Sequence, residues 1–364
     1  MRISRVAVAA ALLASSLAHA HSGSATFGEV AADARGVTWT LRVRVADLVG
    51  PEIGLGLPAG AAAPDALARG AAVEQRLGRG LHVANGGADC PIIERSLAAG
   101  DERDLTARFR FACAGPAFVL RYDLFFDVDP LHSGYTKLED GTTHVFRAAD
   151  RTLPLGAARS IWAGAREYLL LGVEHIFTGY DHLAFLAALL LATGLAHRSG
   201  REGPAVPNEP RRALRDVLRI VTAFTAAHSL TLIASTLRPG LLGTAWVEPG
   251  IALSIAYVGF ENLRARATTL RRRWMIVFAF GLVHGLGFSS VLREIGLPAR
   301  GLVLALLAFN LGVELGQLAV VSVVLPLVLL AARRRPAAFE RWGLRGGSLA
   351  IALAGVVWFV LRVR

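Results

Sequence analysis

From residue 160 onward the chain is a series of long apolar runs separated by short, arginine-rich gaps. A membrane-spanning helix needs about 20 mostly apolar residues, within a range of roughly 17–25. Six runs qualify, at residues 181–197, 215–236, 246–263, 274–292, 301–331 and 343–361. Backbone groups in a bilayer have no water to bond, so each run is expected to be helical. The fifth run is long enough to tilt or break, and Gly312 and Gly316 offer places to do so. The chain is 54% hydrophobic, with a mean hydropathy of +0.47. That excess sits in these runs, because residues 22–155 read as a normal mixed-polarity domain. The expected organisation is therefore an exported mostly-β, sandwich-like domain over residues 21–155, then an all-α polytopic membrane domain of about six helices over 158–364.

The arginines orient the runs. Arg198, Arg201, Arg211, Arg212 and Arg215 fill one gap; Arg264, Arg266 and Arg271 to Arg273 another; Arg333 to Arg335, Arg341 and Arg345 a third. The alternate gaps hold only Arg238 in one case and Arg293 and Arg300 in the other. Basic gaps face the cytoplasm. The C-terminal Arg362-Val363-Arg364 then falls outside, a small misfit with that rule. The net charge of +11 is accounted for by topology rather than by nucleic acid. No Walker loop, zinc-finger spacing or groove-reading basic helix is visible, so neither nucleotide nor nucleic acid is expected as a ligand.

Residues 1–20, "MRISRVAVAAALLASSLAHA", have the three parts of a secretory signal: Arg2 and Arg5, an apolar core from Val6 to Leu17, and an Ala18-His19-Ala20 cleavage site. Cleavage would leave His21 first and place the next domain in the periplasm of a bacterial inner-membrane protein. His21 could chelate copper or nickel with a free α-amino group, although chain ends usually fray. Cys90 and Cys113 are the only cysteines. An oxidising compartment and an even count predict that they form a disulfide. Alternation in Gly36–Leu48 and Asp104–Cys113, the β-rich Ala117–Asp129 and the short Thr143–Ala148 predict an antiparallel sandwich. Residues 56–81 are expected to form a loop with a short helix. His82, His132 and His144 are scattered and make no catalytic set.

Ionisable groups inside a membrane are expensive and point to function by default. They include His175, Asp181 and His182 near the first run, His228 in the second, Glu248 and Glu261 in the third, His284 in the fourth, and Asn310, Glu314 and Gln317 in the fifth. His228, His284 and Glu314 sit mid-run, at depths where they could meet. Imidazole and carboxylate suit Ni, Co, Zn or Cu. In one straight helix His175 and His182 would stand about 10.5 Å apart, too far to hold one ion. A break at Gly179, with Asp181 capping the helix that follows, would fold them together. The plainer alternatives are a capping Asp181 and interhelical hydrogen bonds from His228 and His284. Ala158–Gly179 reads as an amphipathic helix at the outer surface.

"HIFTGYDHLAFLAALLL" resembles the H-x5-D-H signature of the HupE/UreJ membrane proteins, which are linked to nickel supply. The segments "VTAFTAAHSLTL", "VEPGIALSIAYVGFENL", "FGLVHGLGFSSVL" and "AFNLGVELGQLAVV" are similar to that family's later segments. The leader and exported domain match its second group. The resemblance implies a metal permease role carried by His175, Asp181 and His182. It departs from the nickel-linked group in "VHGLGFSS", which keeps only His284 of a second histidine motif. With His228, His284 and Glu314 from the depth argument, these residues form the candidate metal set. Two other classes use the same residues: an intramembrane zinc hydrolase including Ser229, and a non-catalytic scaffold whose exported domain binds a periplasmic protein. No H-E-x-x-H pair or G-x-S-x-G elbow supports the hydrolase.

Overall fold

A computed structural model of the chain describes residues 24–33, 35–100, 103–113, 115, 117–156, 160–196, 206–238, 246–264, 270–289, 292 and 302–363. The expected leader over residues 1–20, its cleavage site and His21 lie outside the described residues, as do Arg198, Arg201, Arg266, Arg293, Arg300 and Arg364. The chain forms two compact units that part between Glu167 and Tyr168.

The first unit is mostly β. Its strands are β1 (Ala25–Asp33), β2 (Gly36–Arg44), β3 (Leu81–Asn85), β4 (Ala88–Asp89), β5 (Ile92–Ala99), β6 (Asp104–Ala112), β7 (Phe118–Tyr122), β8 (Ser133–Lys137), β9 (Thr143–Phe146) and β10 (Thr152–Pro154). They make a six-stranded sheet in the order β5-β6-β2-β1-β8-β9 and a four-stranded sheet in the order β10-β7-β3-β4. Alternation explains the central strands. Val37, Trp39, Leu41 and Val43 of β2 are buried, as are Leu105, Ala107, Phe109 and Phe111 of β6. Trp39 lies opposite Phe109 in the register. Leu81, Val83, Leu120 and Tyr122 of the second sheet join the same core. Two short helices, α1 (Ala63–Leu67) and α2 (Gly70–Gly78), fill the segment read as loop and helix. In the β3–β4 turn Gly86 and Gly87 both have positive φ, 58° and 87°, as a tight hairpin turn requires.

Two expectations change here. The sandwich is not wholly antiparallel, because β1 pairs parallel with β8; that pairing joins distant segments and leaves no local pattern. The strand expected over Ala117–Asp129 stops at Tyr122, and Phe125 follows with a φ of 62°. The Cys90–Cys113 disulfide forms, across a sequence separation of 23 residues.

A buried polar relay closes one end of this core. The Asp129 carboxylate accepts from the Ser24 amide at 3.0 Å and from its hydroxyl at 2.5 Å. His132 contacts the Ser24 hydroxyl through Nδ1 at 2.7 Å and the Tyr122 hydroxyl through Nε2 at 2.7 Å. Tyr122 also meets Thr26. Burial pushes the His132 imidazole down to about 4, against the opposing pull of Asp129. The unfolded chain takes up that proton near pH 6.5, while the folded protein takes it up only near 4. Folding stability contributed here is therefore intact above about pH 6.5 and falls by about 3 kcal/mol as pH drops to 4. Thermal melts of full-length protein across that window should show the loss, and His132→Gln should flatten it.

The second unit is helical. Its elements are α3 (Ile161–Thr178, shared at its start with the first unit), α4 (Tyr180–Thr193), α5 (Pro210–Leu237), α6 (Val247–Arg264), α7 (Leu270–Gly287) and α8 (Leu302–Arg334), then α9 (Pro336–Val363). Among the described residues, α8, α9 and the Pro210–Thr236 part of α5 are long and apolar enough to cross a membrane. The pair α3 and α4, bent by 68°, makes a fourth if it counts as one span. The shorter α6 and α7 occupy the third and fourth runs but fall below that test, α6 carrying Glu248, Glu261 and Arg264 within 18 residues.

Candidate metal centre

Close helix packing positions the site. A Cβ on Gly172 of α3 would lie 2.0 Å from the Phe309 carbonyl of α8, and one on Gly312 would lie 2.0 Å from the Leu169 carbonyl. Only glycine at both places lets the two backbones meet, as small residues do in membrane bundles. So α3 is part of the bundle, not a helix lying at the outer surface, and Leu171 and Ile176 are buried in it. Gly281 and Gly285 do the same for α7 against α5. A Cβ on Gly285 would stand 2.3 Å from the His228 carbonyl.

The break falls at Gly179, with φ −81° and ψ 89°. The Gly179 amide donates to the His175 carbonyl at 3.0 Å, and the His182 amide donates to the Gly179 carbonyl at 2.9 Å. A Cβ at Gly179 would come 2.7 Å from both the His175 carbonyl oxygen and His182 Nδ1. The bend therefore brings the two rings together, with centroids 4.6 Å apart. His228 of α5 lies 6.0 Å from His175 and 6.2 Å from His182, again between centroids. His284 of α7 lies 5.2 Å from His182. Ligand atoms of His175, His182 and His228 all fall within 4.8 Å of one another. Two nitrogens bound to one ion at about 2.1 Å can be at most about 4.2 Å apart. Three such nitrogens set tetrahedrally around the ion stand about 3.4 Å apart, so the rings need to draw together by up to about 1.4 Å to share an ion.

The hydrogen bonding leaves the nitrogens bare. His175 Nε2, both nitrogens of His182, His228 Nε2 and His284 Nδ1 are shut from solvent without a hydrogen-bond partner. Each buried, unsatisfied polar atom costs roughly 1–3 kcal/mol. Two rings are also fixed in orientation. Ser254 donates its hydroxyl proton to the Ile251 carbonyl at 2.6 Å, so at 2.9 Å it accepts from His284 Nε2. Asn310 donates its amide to the Leu306 carbonyl at 2.8 Å, which turns its oxygen toward His228 Nδ1 at 3.4 Å. Both contacts put the ring proton on the bonded nitrogen and leave the lone pair on His284 Nδ1 and His228 Nε2, the nitrogens without a partner. Such orienting partners are typical of metal-binding histidines. Phe185, Phe224, Phe288 and Phe309 wall the rings.

The carboxylates of the candidate set stand elsewhere. Asp181 does not cap α4, because Gly179 holds that position. It sits in the first turn, where a negative charge suits the helix dipole. There it accepts from Arg362 at 2.8 Å. Arg362 also lies 4.0 Å from Glu248. Glu314 accepts from Thr222 at 3.1 Å. Ser229, which the hydrolase reading requires, donates back to the Thr225 carbonyl at 2.7 Å. Glu261 lies 4.0 Å from Arg273, which also donates to Asn262 at 2.6 Å. Sequence reasoning missed Ser254 and the partnership of Arg362. Ser254 gave no signal, being one small residue on an apolar helix. Arg362 gave one: under the expected topology it is an arginine on the side where such residues are disfavoured.

One consequence can be tested directly. Gly285→Ala must part α5 and α7 at the level of His228 and His284. We expect a stability loss of about 1–3 kcal/mol and a 10–100-fold fall in metal affinity. Titration of nickel into the purified variant and thermal melting would measure the two effects.

The family model described as HupE / UreJ protein matches residues 151–362, more than half of the chain. No curated protein matches it.

Proposed function

The chain belongs to the HupE/UreJ family, and from that premise we propose that it is an inner-membrane permease for a divalent transition metal, with nickel as cargo. The observation that carries this reading is the convergence of His175, His182 and His228, whose ligand atoms lie within 4.8 Å of one another and each of which has a buried ring nitrogen without a hydrogen-bond partner. Neutral imidazole favours the late first-row ions, Ni and Co among them, with Zn and Cu as competitors. Asp181 and Glu314 are engaged elsewhere, so the charge of a bound ion is left uncompensated. That suits a cargo site, which must release what it binds. Residues 21–155 would face the periplasm and stand at the outer mouth. No nucleotide-binding motif is visible in the sequence, so energy would come from a gradient or a partner protein.

The test is nickel and cobalt entry into proteoliposomes containing the full-length protein. Influx that is lost in a His175→Ala/His228→Ala variant retaining its helical signal supports the proposal. Ion-tight vesicles, or equal influx in wild type and variant, would refute it.

A further inference from the structure

A second site lies along the arginine-rich end of α5, away from the histidines. Here α5 and Trp274 of α7 border an open cavity of about 970 Å³, lined by Arg211, Arg212, Arg215 and Arg219. Residues 211, 215 and 219 fall at i, i+4 and i+8, so these arginines form a ladder on one face about 12 Å long. Like charges at that spacing repel. Arg212 has Asp216 at 3.9 Å. The other three have no ion-pair partner among the described residues. Four guanidinium groups thus face one cavity against the two carboxylates of Glu209 and Asp216. That excess calls for an anion. Guanidinium forks match phosphate in particular.

The surroundings indicate the source. Leu214 and Leu218, on the same turns of α5, are 45% and 39% exposed, and Trp274 is 44% exposed at the rim. A soluble anion makes no use of exposed leucines, whereas acyl chains cover them. Tryptophan concentrates at the headgroup level of a bilayer. Basic pockets between helices on the cytoplasmic side suit phospholipid headgroups. We propose that this cavity binds the phosphate of an anionic phospholipid in the inner leaflet. The site is independent of the metal reading and stands or falls separately from it.

The experiment is native mass spectrometry of the full-length protein released from nanodiscs of phosphatidylglycerol and phosphatidylethanolamine. Wild type should retain phosphatidylglycerol selectively. Each arginine lining the cavity should contribute about fivefold to holding the headgroup there, so Arg211→Gln/Arg215→Gln/Arg219→Gln should weaken it about 100-fold. An Arg333→Gln/Arg334→Gln/Arg335→Gln variant removes as much charge elsewhere and should leave retention intact. If the triple variant does not fold, Arg215→Gln alone should still show the fivefold loss. Equal retention of the two lipids, or equal loss in the control variant, would overturn the proposal. So would displacement of the lipid by inorganic phosphate, which would make the cavity a soluble-anion site.

Discussion

Replacing His182 with leucine should make the metal-free protein more stable while destroying its affinity for nickel. Both His182 nitrogens are shut from solvent with no hydrogen-bond partner. Leucine is similar in size and removes that cost, which is roughly 1–3 kcal/mol per group. A gain of that order raises the melting temperature by several degrees in a domain of about 200 residues. Affinity should fall more than the 10–100-fold typical of losing an orienting partner, because a ligand itself is lost. Wild type, by contrast, should gain about 2.7 kcal/mol from nickel at 100 times its dissociation constant. A variant that melts lower than wild type without metal would mean that His182 is a packing residue.

Breaking the Cys90–Cys113 disulfide should cost about 3 kcal/mol. The chain-entropy relation gives that figure for the closed loop, whose ends are 23 residues apart. The bridge joins the segment leading into β5 to the end of β6. Strand β5 is an edge strand with most of its side chains exposed, so it has little apolar contact of its own. The full-length Cys90→Ala/Cys113→Ala variant should be cleaved by protease within the β domain at temperatures where wild type resists. Adding reductant to wild type should reproduce the effect. Equal resistance in both proteins would show that the sheet holds this edge without the bridge.

How far the sequence was legible depended on whether the cause was local. Strands β2 and β6 were readable because each buries one face, so apolar and polar residues alternate. Strand β5 was not, since an exposed edge needs no alternation. The β1–β8 pairing was invisible because it is decided by the core as a whole. In the helical unit each of the six apolar runs overlaps one helix among the described residues, but their lengths did not reveal the packing of α3 into the bundle. That packing depends on Gly172, which gives no signal in the sequence, and on Gly312, which reads there as a place for the fifth run to tilt or break, whereas α8 runs unbroken from Leu302 to Arg334.

The candidate site followed the same division. The seven-residue spacing of His175 and His182 left two geometries open, and the bend at Gly179 decides between them. The mid-run depths of His228 and His284 put them near one level, since depth follows from rise per residue, and both rings approach His182. Glu314 satisfied the same depth argument, yet its carboxylate meets Thr222, because depth says nothing about the direction a helix face points. Asp181 had the chemistry of a cap, and the glycine two residues earlier took that role. Arg362, a misfit under the expected topology, has two acidic neighbours, Asp181 and Glu248.

The most direct test of the central claim is X-ray absorption at the nickel edge on the loaded full-length protein, beside His228→Ala. The account predicts three or four imidazole nitrogens around the ion at about 2.1 Å, and one fewer in the variant. A nickel ion ringed only by water and carboxylate oxygen, with the same spectrum in both proteins, would contradict it.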